Sequence, residues 1–208
     1  MKSPRGAVRQ YWTSLRALLI FTLVLGVGYP LVVTLIGQLA FNAEANGSVV
    51  SAQGSVVGSS LIGQSFADSK GNPLPQWFQS RPSAAGSGAG YDAGNSSGSN
   101  LGPNNPLLLK DFLERKTAIA KLDGVAVRQI PADALTASAS GLDPHISPAF
   151  AMLQVDTVAK ARHLSPTVVA KLVAAHTQAR DLGFLGEPTV NVLQLNLALA
   201  ALDPAGNR

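Results

Sequence analysis

Acid–base or metal chemistry in this chain would have to be built from three histidines, His145, His163 and His176, and twelve carboxylates. Of the histidines, His145 has the most suggestive setting. Asp143-Pro144-His145 forms a short turn between two helical stretches, and the loops are rich in serine. A hydrolase with His145 as its base is therefore one reading. The companion signals of such an enzyme are missing from the sequence. There is no G-x-S-x-G elbow and no H-E-x-x-H pair, and the histidines have no metal-ligand spacing among themselves. His163 lies where a helix ends and suits a partner for the helix dipole; His176 suits a half-buried helix face. Phosphate binding would want G-x-x-x-x-G-K-[ST] or a G-x-G-x-x-G opening a helix, and neither occurs. No catalytic residue and no metal ligand is assigned. The chain has no cysteine, which fits an exported domain without a disulfide framework.

The elements around these residues begin with a long apolar run. Residues 17–43 carry no charge and are flanked by Arg16 and Glu44. About 20 apolar residues suffice to cross a bilayer core as a helix. A secretory signal peptide is the rival reading, because Ala43-Glu44-Ala45 fits a cleavage pattern. Its apolar region would normally be only about 7–15 residues long. A buried core helix is the other rival, though an all-round apolar helix of this length suits a membrane better. Within the run, Pro30 predicts a kink, and Gly26 and Gly28 would let another membrane helix approach closely.

Charge supplies the orientation. The formal net charge of +4 arises ahead of the span, where Lys2, Arg5, Arg9 and Arg16 face no acid. Beyond the span, basic and acidic residues balance. The basic pI is thus a topology signal and not a nucleic-acid patch. Residues 1–16 are expected as a cytoplasmic leader, 17–43 as the transmembrane helix, and 44–208 as an extracytoplasmic domain at the bacterial plasma membrane.

That domain reads as α+β, with short strands first and helices in its C-terminal half. Residues 48–53 and 55–64 are rich in β-branched and small side chains and predict strands. Residues 83–102 form a Gly/Ser/Asn-rich loop, of a length that is usually functional or disordered. Apolar periodicity predicts helices over 106–122, 148–162 and 166–180. Residues 190–202 alternate like a strand, yet Asn191 is a good helix cap, and a helix is the preferred reading. The segment 131–148 packs three prolines into a linker, which fixes backbone shape and suits a docking or structural hinge.

Several blocks together carry a resemblance. GVGYP at 26–30, ANGS at 45–48, GSSLIGQSF at 58–66, WFQSRPSA at 77–84, GSNLGPNN at 98–105, PADALTASASGLDPHISP at 131–148, HTQ at 176–178 and GEPTVNVLQLNL at 186–197 follow in order. The chain resembles the C chain of the bacterial potassium-transporting Kdp ATPase almost end to end. The resemblance implies a non-catalytic subunit needed for assembly and stability of a P-type pump. Its partners would be an ion-selecting, an ATP-hydrolysing and a small membrane subunit, together with membrane lipid. ATP and potassium would be handled by the complex, with no cofactor of the chain's own. The D-K-T-G phosphorylation sequence is absent from this chain. The family is also described as a catalytic chaperone that raises the ATP affinity of the hydrolysing subunit. The glutamine of a stretch faintly like the signature loop of ABC-transporter ATPases is its nucleotide contact, here Gln64. Arg81, Asp143, His145 and Asn191 are expected as docking or structural residues, and Gly26, Gly28 and Pro30 as the packing face in the membrane. A membrane-anchored extracytoplasmic ligand-binding module is the alternative.

Overall fold

The computed structural model describes residues 4–207, and two compact units meet in the sequence at Val49 and Val50. Lys2, in the basic leader, lies outside the described residues. The first unit is a long helix. It consists of α1 (Pro4–Phe21), a π-helical stretch (Thr22–Gly28) and α2 (Tyr29–Ala40). The helix begins at Pro4, within the leader and ahead of the uncharged run that starts at residue 17. Where Pro30 predicts a kink, the helix widens into the π stretch. Pro30 has no N–H to give and would crowd the carbonyl of Gly26 in an α-turn. The wider turn ahead of it avoids that conflict, and the N–H of Tyr29 bonds to the carbonyl of Val24. None of the most apolar window within Gly6–Ala40 is buried, and its mean hydropathy is 2.4. The apolar run closes on an amide cluster before and within α3 (Asn42–Ala45). Asn42 and Asn46 both donate to Oε1 of Gln38, at 3.1 and 3.0 Å.

The second unit opens with a hairpin of β1 (Val49–Ala52) and β2 (Ser55–Ser59). Gln53 and Gly54 both take positive φ, the backbone that matches a two-residue turn to strand twist. β2 is shorter than the expected 55–64, because a turn from Ser59 to Ile62 ends it. A second, antiparallel sheet has the order β3 (His145–Ile146), β5 (Thr189–Asn191), β4 (Thr177–Gln178). His145 pairs with Asn191, and Thr177 with Val190.

Helix α4 (Pro106–Asp123) is capped by Asn105 and stopped by left-handed Gly124, as its sequence predicts. The helix expected over 148–162 is instead two, α5 (Pro148–Leu153) and α6 (Val155–Ala161). Gln154 separates them, its N–H bonding three residues back to Ala151 while its side chain reaches Gln79. Helix α7 (Pro166–Ala175) ends before the expected 180, since Thr177 and Gln178 are recruited by β5. Residues 190–202 satisfy both signals, strand to Asn191 and then α8 (Val192–Leu202). The core gathers around α8, whose Leu195 and Leu199 are buried with Val158, Val169, Val173 and Phe150.

The irregular stretch ahead of α4 is held by side-chain amides and hydroxyls. Asn196 clamps Phe78, accepting from its N–H and donating to its carbonyl, both at 2.9 Å. Oε1 of Gln154 accepts from the N–H of Gln79 at 2.6 Å. The Gly/Ser-rich loop is ordered against the 138–143 turn. Ser83 donates to the carbonyl of Gly141 at 2.6 Å, and Ser96 to that of Ser140 at 2.9 Å.

Candidate functional site

Four of the residues singled out in the sequence converge where the 60–91 segment meets the turn before β3. Arg81 donates from Nη1 to Oδ2 of Asp143 at 2.9 Å, while the other carboxylate oxygen accepts the N–H of His145, also at 2.9 Å. Nη2 of Arg81 reaches Thr136 at 3.4–3.5 Å. The His145 ring lies 3.7 Å from Asp143, too far for a hydrogen bond. Asn191 joins the hairpin to α8: its Nδ2 donates to the carbonyl of Ser60 at 2.8 Å, and its Oδ1 accepts the N–H of Gln194 at 3.1 Å.

Gly63 lets these pieces close. Its N–H bonds to Leu142, and a Cβ there would lie 2.5 Å from both the carbonyl oxygen of Asp143 and the Tyr91 ring. Tyr91 adopts a positive φ and donates its hydroxyl to the carbonyl of Arg81 at 2.7 Å. Burial pushes the Tyr91 phenol up to about 12, so it stays a donor. Burial also pushes the Asp143 carboxyl up, but hydrogen bonds from His145 and Arg81 and the guanidinium charge outweigh it. The net shift is downward, and the carboxylate stays ionised. Gln64 lies beside this junction. Its Nε2 donates to the carbonyl of Val57 at 2.6 Å, and its own carbonyl accepts from Ser80.

Chemically this is a positioning network. Asp143 is engaged at both oxygens, and Arg81 is forked between a carboxylate and a carbonyl. Among the described residues no group of three His, Asp or Glu side chains is placed to hold a metal ion. A cleft of about 270 Å³ adjoins this network between the 65–91 segment and α4, lined by Arg81 and Tyr91 together with Phe66, Arg115, Ile119 and Asp123. Burial raises the carboxyl of Asp123, an effect partly offset by Thr157.

Gly26, Gly28 and Pro30 lie in the other unit, on the exposed helix. A Cβ on Gly26 or Gly28 would meet only atoms of that helix, at 3.8 and 3.6 Å. Three polar residues escaped the sequence reading: Gln154, Asn196 and Arg162. Arg162 has a side chain with no exposed surface. It bonds to Gln76 at 2.7 Å, stacks 4.2 Å over the Trp77 ring, and reaches Asp203 at 3.6 Å. An amide inside the apolar run 192–202, one of two with Gln194, was the available signal for Asn196.

Comparison with known proteins decides the family. The model for the K+-transporting ATPase, c chain, matches residues 11–201. The chain belongs to this family. It is 55% identical over 197 residues to the potassium-transporting ATPase KdpC subunit of Kineococcus radiotolerans, covering 95% of this chain and 96% of that one. The KdpC subunit of Methylococcus capsulatus is 50% identical over 195 residues, covering 94% and 99%. That of Ralstonia nicotianae is 52% identical over 189 residues, covering 89% of each. Membership makes the chain an accessory subunit of a potassium pump, with one helix long and apolar enough to cross a membrane.

Proposed function

We propose that this C-family chain is a single-pass assembly subunit, with its N-terminus in the cytoplasm and its α+β body outside. It stabilises the complex of ion-selecting, ATP-hydrolysing and small membrane subunits and does no chemistry itself. One observation carries this reading: an apolar helix whose most apolar window is wholly unburied precedes a body whose functional-looking polar groups, Arg81, Asp143, Gln64 and Asn191, are engaged in holding its own chain. The leader charges Arg5, Arg9 and Arg16 set the orientation. A body outside the membrane does not meet cytoplasmic ATP. The raised ATP affinity implied by the family resemblance therefore passes through subunit contacts, with Gln64 supporting the 57–64 turn.

Labelling tests the topology, and the cysteine-free sequence gives a clean background. A cysteine replacing exposed Ser87 should react with a membrane-impermeant thiol reagent on intact spheroplasts. A cysteine replacing Ser3, which lies outside the described residues, should react only after lysis. The opposite pattern would overturn the external placement and restore Gln64 as a direct ATP contact. With the expected topology, Gln64→Ala in an assembled complex should change the KM for ATP less than about twofold, a loss of under roughly 0.5 kcal/mol of binding.

A further inference from the structure

Residues 180–187 connect β4 to β5 as a tight, closed finger. The N–H and carbonyl of Asp181 bond to the carbonyl and N–H of Leu185, at 3.0 and 2.9 Å, and Gly183 bonds back to Arg180. Arg180 and Glu187 form an ion pair across its base. Leu182 is held at a positive φ of 52°, a conformation that a leucine keeps only where its surroundings impose it. The tip held this way is apolar and turned to solvent: Leu182 is 82% exposed, Phe184 69% and Leu185 49%. The body's core is built without them. An apolar cluster that folding does not use, fixed in one shape, fits binding better than folding.

We infer that the finger is a docking element that inserts Leu182 and Phe184 into an uncharged apolar pocket of another protein subunit of the ATPase. Charge selects protein over lipid. Segments that dip into a bilayer surface carry free lysine or arginine around their apolar residues. Here one basic residue, Arg180, is already paired, and Asp181 and Glu187 leave the finger net acidic. Rigidity points the same way, since a preformed turn loses little entropy on entering a matching pocket. The inference rests on the accessory-subunit reading above.

The test uses the complete complex in its native membrane. A photoreactive phenylalanine analogue placed at Phe184 should crosslink to another subunit of the pump, identified by mass spectrometry. Crosslinking to lipid alone, to a second copy of this chain, or to nothing would overturn the proposal. Separately, Leu182→Ser with Phe184→Ser should speed dissociation of this chain from the detergent-purified complex by about tenfold or more, the scale of a lost central apolar anchor. The melting temperature of the isolated full-length chain should stay unchanged, because both side chains are exposed. A dissociation rate equal to the unaltered chain's would sink the proposal while leaving the subunit reading intact. Failure of the unaltered chain to co-purify with any pump subunit would overturn both.

Discussion

Arg81 and Asp143 carry the clearest residue-scale consequences. Both side chains are about a quarter exposed, so the pair is neither a surface ornament nor a fully desolvated charge. Replacing Arg81 with alanine also frees Thr136. Hydrogen bonds to charged groups typically contribute about 1.5–3 kcal/mol, and Arg81→Ala should destabilise the chain on roughly that scale. Denaturant unfolding of the full chain in detergent would measure it. The pH dependence follows from Asp143, whose folded carboxyl titrates below its unfolded value of about 3.9. Its contribution is present above pH ~4 and is lost as pH falls through the lower folded value. Asp123 has the opposite sign: raised by burial, it takes up its proton first in the folded state and offsets part of the acid loss. The acid limb of stability should flatten in Asp143→Asn and steepen in Asp123→Asn.

Elements meet at Gly63 and Asn191. Alanine at Gly63 would press on a backbone carbonyl and an aromatic ring at once. Neither can swing aside as a flexible side chain would, so about 1–3 kcal/mol of overpacking is expected in unfolding experiments. Asn191→Ala removes a helix cap and the bond to Ser60, for a loss of about 1–2 kcal/mol. Asn191→Asp keeps the cap but not the donor and should fall between. The ambiguity of 190–202 was legible as ambiguity: the alternating pattern and the cap were both real, and Asn191 is where one gives way to the other. The helix ends at 154 and 175 were not legible. They depend on Gln79 and on β5, partners distant in sequence that local periodicity does not contain. Arg81, Asp143, His145 and Asn191 could be picked out locally, but nothing local said that they converge. Asn196 and Arg162 are polar side chains whose burial is set by the segment laid over them.

At the scale of the whole molecule, charge in the leader is separated from a neutral body by one apolar helix. Neutralising Lys2, Arg5, Arg9 and Arg16 together should scramble orientation, read as Ser87-site labelling split between intact and lysed spheroplasts. His145→Ala keeps the backbone pairing with Asn191 but removes a partly buried ring 3.7 Å from Asp143, so it should weaken stability or assembly. A fully assembled, stable complex that had lost ATPase activity would contradict that structural role.

The π stretch sets an angular phase. Each α residue turns the chain about 100°, and a widened turn holds back part of that rotation. The side chains of α1 and α2 therefore face in directions that an uninterrupted 3.6-residue helix would not give them. Removing one residue from 22–28, with Pro30→Ala to lift the proline's conflict with the preceding turn, would let the segment wind as a plain α-helix while preserving the other side chains of α1 and α2. A partner reading both stretches would then find one in place and the other swung round the axis. For any helix packed along both stretches, that rotation is part of the surface presented, alongside the sequence.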